Sequence, residues 1–167
     1  MKHIITSSAK QTFNFAKKFA CRLKSGEVIG LVGELGAGKT IFVKGLATGL
    51  GIKKNITSPT FVIMKIYPVK LPRPWRDSNS AGFNRVNKIP KIKTLNLKSK
   101  ILNLIHIDAY RLKSAKDILA IGAQEYLGQI SAITVIEWAD RVKKILPKNT
   151  KFVNIISKGN NKRLIKY

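Results

Sequence analysis

Residues 33–40 read Gly-Glu-Leu-Gly-Ala-Gly-Lys-Thr, a full match to the pattern Gly-x-x-x-x-Gly-Lys-[Ser/Thr]. A loop of this kind turns successive backbone N–H groups toward one point, where they hold a chain of phosphate oxygens. Gly33, Gly36 and Gly38 permit backbone angles and a close approach that a Cβ would obstruct. Lys39 supplies a point charge for terminal phosphates, and Thr40 offers a hydroxyl to a magnesium ion. The candidate phosphate-binding set is therefore Gly33, Glu34, Leu35, Gly36, Ala37, Gly38, Lys39, Thr40 and Ile41.

A nucleoside triphosphate arrives with magnesium, so an oxygen-rich side chain is needed nearby. The chain has only eight acidic residues, and two of them directly follow apolar runs. Glu137 follows Ile133-Thr-Val-Ile136, and Asp108 follows Ile101-Leu-Asn-Leu-Ile-His-Ile107. In open α/β sheets such strand ends line the ligand crevice. Glu137 is the better candidate for magnesium, as a ligand or through its waters; Asp108 can share that role or place the attacking water. The plainer alternative is a strand-end acid that caps a helix or pairs with Arg111 or Arg141. Trp138 suits either a core lid or the rim of a site. His106 is expected to be structural, because no second histidine or cysteine accompanies it at metal-binding spacing.

These residues need a scaffold. Glu27 to Val32 reads as a buried parallel strand, and Lys39 to Leu50 as a helix stopped by Gly49 and Gly51. Strand, loop and helix are contiguous, which aims the helix N-terminus at whatever the loop holds. Residues 7–24 predict a first helix capped by Ser7 or Ser8, with Phe13, Ala16, Phe19, Ala20 and Leu23 on one face. Residues 56–60 form a turn, Phe61 to Tyr67 a strand, and 101–107 another. Residues 114–127 predict short helices broken near Gly122; 132–136 is a strand and 140–146 a short helix. Residues 151–157 and 162–167 complete the pattern as a pair of strands. The alternation predicts a three-layer α/β, P-loop NTPase-like domain whose mixed sheet has a parallel centre and antiparallel edges.

At 167 residues the chain suits a single domain, and it contains no apolar run of transmembrane length and no secretory signal. Its one cysteine, Cys21, excludes an internal disulfide and suits a reducing cytoplasm; its place in an amphipathic stretch predicts a core or boundary position. The net charge of +24 is spread along the whole chain. Even spreading points to general lysine enrichment more than to a specific polyanion site. Residues 68–100 carry four prolines and no periodicity, and 70–100 hold nine basic residues against Asp77 alone. That length of loop inside a small domain is unusual.

Four segments, in this order, resemble the TsaE (YjeE) family of bacterial ATPases: Gly33–Thr40, Ser58-Pro-Thr-Phe61, His106-Ile-Asp-Ala-Tyr-Arg-Leu112 and Ile136-Glu-Trp-Ala-Asp140. The resemblance covers nearly the whole chain apart from 68–100. It implies a cytoplasmic protein that binds ATP and Mg2+ and hydrolyses ATP slowly. It also implies TsaD-like and TsaB-like partners, which together place threonylcarbamoyl on the tRNA adenosine beside the anticodon. By the same resemblance Lys39 contacts phosphates, Thr40 and Glu137 serve magnesium, and Asp108 organises the hydrolytic water. Ser58 to Thr60 would be a switch-like segment near the last phosphate, and Trp138 a residue needed for activity or complex formation. Family members usually join the strands around 68–100 by a short link, so the extra basic residues there are taken as a tolerated insertion in preference to a grip on tRNA. Adenine contacts near 159–163 are left open. Two other functions share parts of the pattern: a small-molecule kinase, and a basic nucleic-acid-binding module with a non-catalytic loop.

Overall fold

The computed structural model describes residues 1–59, 62–69, 101–112, 114–120 and 122–167. Seven strands form one sheet: β1 (His3–Thr6), β2 (Val28–Val32), β3 (Met64–Pro68), β4 (Asn103–Asp108), β5 (Ala132–Glu137), β6 (Lys151–Ser157) and β7 (Arg163–Lys166). Their spatial order is β1-β7-β6-β2-β5-β4-β3. The four central strands, β6, β2, β5 and β4, run parallel. β3 joins one margin antiparallel, and β7 with β1 closes the other. The expected mixed sheet is what forms.

Burial explains why the parallel strands read as continuous apolar runs: β5 is buried at every position. Leu31, Ile133, Val135 and Leu104 face a core shared with α1 (Ala9–Ala20) and α2 (Lys39–Gly49). Val28, Ile105, Ile107 and Ile136 face a second core beneath α3 (Ala115–Ala120) and the 3₁₀ turns Ala123–Tyr126 and Ala139–Ile145. Since side chains alternate along a strand, the first layer's face of β4 carries Leu104, His106 and Asp108, and that of β5 carries Ile133, Val135 and Glu137. Two acids thus reach the α2 side at paired positions, Asp108 opposite Glu137 in the ladder.

Helix α1 starts where expected, with the Ser8 hydroxyl accepting from Gln11 N–H at 3.1 Å. It ends at Ala20, short of residue 24. Cys21 is the residue after it and is exposed, not a core or boundary residue; it lies one turn after exposed Lys17, on the side of α1 away from buried Ala16 and Ala20. The strand expected from Phe61 begins only at Met64. Pro59 O accepts from both Val62 N–H (2.9 Å) and Ile63 N–H (2.5 Å), and Ile63 has φ of 63°, so the chain turns there before extending. Thr60 and Phe61 lie outside the described residues, as does 70–100. Pro68, placed by sequence in the inserted segment, instead ends β3 opposite Asn103, and Val69 N–H bonds Leu102 O at 2.7 Å. The expected helix at 140–146 is a 3₁₀ turn. Strand β1 had no counterpart among the expected elements; four residues carry too short a pattern to read.

Gly49 does less to stop α2 than to let it approach α1. A Cβ at Gly49 would lie 2.5 Å from Lys17 O and 2.6 Å from the Ala20 Cβ. One at Gly45 would collide with Phe13 O and lie 2.7 Å from the Ala16 Cβ. The four-residue spacing of the two glycines faces the four-residue spacing of the two alanines, and the backbones meet. The stop itself comes from Gly51, at φ of 82°. Gly45→Ala should therefore destabilise the protein. Overpacking costs about 1–3 kcal/mol, against about 1 kcal/mol gained in helix propensity. A lowered urea midpoint is expected, and an unchanged or raised one would contradict the close helix contact.

Candidate phosphate and metal site

The loop between β2 and α2 has the backbone that its glycines predict. Gly33, Gly36 and Gly38 have φ of 153°, 76° and 106°. A side chain at Gly33 would also strike Ile155 O, and one at Gly38 would come within 2.9 Å of Arg163 Nε. The first bond of α2 runs from Phe42 N–H to Gly38 O at 3.0 Å. The amides of Lys39, Thr40 and Ile41 precede it, at the positive end of an eleven-residue helix. Arg163, from β7, braces the loop from the side: Nε donates to Ala37 O at 3.0 Å and Nη1 to Asn161 O at 2.9 Å.

Lys39 is 5% exposed, although its side chain is an ammonium. Its Nζ donates to Gly33 O at 2.7 Å and Glu34 O at 2.9 Å, and it stands 3.6 Å from the centre of the Trp138 ring. Burial lowers its pKa from the ordinary lysine value, while the negative charges of Glu137, Asp108 and Asp140 work in the opposite direction. The ammonium is thus held over the loop by carbonyls and a ring face, each of which favours a cation.

Thr40 and Glu137, 97 residues apart in sequence, meet through a 3.0 Å hydrogen bond from Thr40 Oγ1 to Glu137 Oε2. The other carboxylate oxygen, Oε1, is 2.8 Å from His106 Nε2. Asp108 is bonded on both oxygens too: Ser58 Oγ donates to Oδ2 at 2.7 Å, and Tyr110 N–H to Oδ1 at 3.0 Å. Both acids are 3% exposed. Ser58, expected as part of a switch segment, does reach the acid strand; its neighbour Thr60 is not described. Arg141, one of the bases suggested as a plain ion-pair partner, instead donates to the carbonyls of Tyr110 (2.7 Å) and Leu112 (3.4 Å).

Trp138 sits in the left-handed region at φ of 59°, an uncommon place for a bulky side chain. Its ring, half-buried, packs 5.0 Å from Tyr110 and against the second core. It closes part of the second core, as one of the two alternatives read from sequence has it, and it also covers Lys39. The site therefore gathers Lys39, Thr40, Asp108, Glu137 and Trp138 from three separate stretches of chain. Sequence reasoning missed the approach of Tyr110 to Trp138 and the link of His106 to Glu137. The signal for the second was partial: period two puts His106 on the strand face of Asp108, while its meeting with Glu137 comes from the pairing of β4 with β5.

As a set, this is a ring of backbone amides, a fixed ammonium, a hydroxyl and two strand-end carboxylates. Such a set can hold a phosphate chain and a hard divalent cation.

A family model described as threonylcarbamoyl adenosine biosynthesis protein TsaE matches residues 6–77 and 75–165. The tRNA threonylcarbamoyladenosine biosynthesis protein TsaE of Treponema pallidum is 35% identical over 158 residues, covering 93% of each chain. Its counterpart in Rickettsia prowazekii is 35% identical over 159 residues, 95% of this chain and 88% of that one. The Bacillus subtilis protein of the same name is 32% identical over 97% of this chain and 82% of its own. The fold is similar to the crystal structure of Bacillus subtilis YdiB, with a TM-score of 0.69 and 28% identity over 98% of this chain and 82% of that one. With the family model spanning nearly its full length and curated relatives above 30% identity, the chain belongs to the TsaE family of tRNA threonylcarbamoyladenosine biosynthesis.

Proposed function

We propose that the protein is a Mg2+-dependent ATPase of the cytoplasm, slow alone and working on a TsaB–TsaD-like complex during threonylcarbamoyladenosine modification beside the tRNA anticodon. The observation that carries this reading is the meeting of Thr40 and Glu137 across 97 residues, at the mouth of the phosphate-loop helix. A hydroxyl and a carboxylate in contact beside a ring of amides suit magnesium, which takes few protein ligands and relies on phosphates and water for the rest. The bound ion would neutralise phosphate charge and orient the terminal phosphate.

The chain's own residues divide the remaining work. The amides of residues 36–41 bind the phosphates and fix their orientation. Lys39 keeps its ammonium where the terminal phosphates come to lie, steadied by Gly33 O and Glu34 O. Asp108 accepts hydrogen bonds on both oxygens, which hold the carboxyl group in one orientation, suited to placing a water for attack. Ser58, bonded to it, links that acid to the segment expected to act as a switch. Trp138 shields Lys39 from solvent, which strengthens the ammonium's pull on phosphate.

Lys39→Ala removes a charge-assisted contact worth about 1.5–3 kcal/mol, so nucleotide affinity should fall by about 10- to 100-fold. Fluorescence titration with a labelled ATP analogue measures this, and unchanged affinity would remove Lys39 from the site. Asp108→Asn should leave nucleotide affinity near its original value and slow turnover by about 100-fold or more, and chelating magnesium with EDTA should stop turnover. Phosphate release is the assay for both; full turnover in the asparagine variant would contradict the role given to Asp108. The wider reading is tested by following ATP consumption alone, with small acceptor molecules, and with TsaB and TsaD homologues plus tRNA. Stimulation by the protein partners is expected; phosphate transfer to an acceptor would make the protein a kinase instead.

A further inference from the structure

Glu137 is gripped on both oxygens, and one grip comes from outside the phosphate loop. Thr40 holds Oε2. Oε1 faces Nε2 of His106, a ring with 0% exposure on β4, between β5 and β3. Nδ1 of the same ring is buried and has no hydrogen-bond partner among the described residues. The ring's one hydrogen bond is thus the one to Glu137. A polar side chain at a fully buried strand position costs stability unless its bonds offset the lost water, and Leu104, two residues earlier on the same face, shows what would fill that layer without the cost.

A carboxylate has two lone-pair edges and swings about its last torsion, which is broad and weakly restrained. Thr40 alone would leave Oε1 free to turn. His106, with its ring immobilised in the core, fixes the carboxylate plane from behind. Histidine and carboxylate partners that orient a metal-serving group in this way strengthen metal binding by about 10- to 100-fold.

We propose that His106 is a positioning residue for magnesium: by donating Nε2–H to Glu137 Oε1 it holds the carboxylate in the plane that Thr40 and the divalent ion require. The inference rests on the assignment of Glu137 to magnesium made above, and the two can fail separately. With the proton on Nε2 that nitrogen donates to the carboxylate, and Nδ1 is left as an acceptor without a partner among the described residues. His106→Phe keeps a buried ring and removes the donor. His106→Gln places an amide N–H at nearly the reach of Nε2 and keeps it.

The test uses the full chain and a fluorescent ATP analogue, titrated with magnesium to find the concentration that half-strengthens nucleotide binding. His106→Phe should raise that concentration about tenfold or more, while His106→Gln restores most of the loss. Added to Glu137→Gln, the phenylalanine change should shift nothing further, because its effect runs through the missing carboxylate. Thermal melting without nucleotide confirms that each variant is folded; His106→Leu replaces the phenylalanine variant if that one is not. A His106→Phe protein with the original magnesium requirement would overturn the inference. So would a glutamine variant as impaired as phenylalanine, or a further loss in the Glu137→Gln background. Nucleotide binding by the unmodified protein that ignores magnesium would overturn the metal assignment of Glu137 itself, and this inference with it.

Discussion

One hydrogen bond, from Thr40 to Glu137, joins the start of α2 to the end of β5. The bond fixes where the helix's positive end stands relative to the strand-end acids, and most of the fold serves to hold that distance. Parallel pairing of β2 with β5 sets Leu31 beside Glu137, so the loop leaves the sheet at the level where the acid emerges. The far side of α2 is fixed by Gly45 and Gly49 lying against the backbone of α1. A helix held that tightly cannot slide to relax the Thr40 contact. Packing at the back of the domain is therefore part of the geometry at its front.

Electrostatics in this region run against the rest of the molecule. The chain carries +24 overall, yet Asp108 and Glu137, two of its eight acids, are buried within one ladder step of each other. Two buried carboxylates repel and lose hydration, a cost offset only by donors and nearby positive charge. Four of those donors are visible: Thr40, His106, Ser58 and the Tyr110 amide. The positive charge is Lys39, close enough that both acids counter the effect of its burial. The ammonium is shared among two carbonyls and the Trp138 ring. None of these is an anion, so the ammonium's charge is met by dipoles and a ring face there, with the acids acting from further off.

Much of this was legible in the sequence, for physical reasons that differ by residue. The Gly33–Thr40 pattern is readable because each position has a backbone or charge requirement that few other residues meet. Glu137 and Asp108 stood out because strands buried on both faces read as unbroken apolar runs, which makes the first carboxylate after them conspicuous. Cys21 was misplaced because it falls on the outward side of α1, one turn after Lys17, while Ala16, Ala20 and Leu23 take the buried side. The delayed start of β3 has another cause: the β-forming residues after Pro59 were read as strand, while two amides folding back on Pro59 O keep Val62 and Ile63 in a turn. His106 was read as structural, and its burial agrees; that it meets Glu137 depends on the pairing of β4 with β5, a long-range fact no local pattern contains.

The antiparallel margins meet the site differently at the two sides of the sheet. On one side the β6–β7 hairpin delivers Arg163 to the Ala37 carbonyl. On the other, β3 pairs with β4 so that Met64 lies beside Ile107 at the acid end and Pro68 beside Asn103 at the opposite end. The chain leaves this pair after Val69 and returns at Leu102, two residues joined by their own hydrogen bond. From Leu102 to Asp108 is six residues of extended chain, or about 20 Å. The end of the β3–β4 pair closed by Val69 and Leu102 is thus the far end of the sheet from the Gly33–Thr40 loop and the two acids. The Val69–Leu102 bond closes the β3–β4 ladder at that end, away from the register that puts Asp108 opposite Glu137.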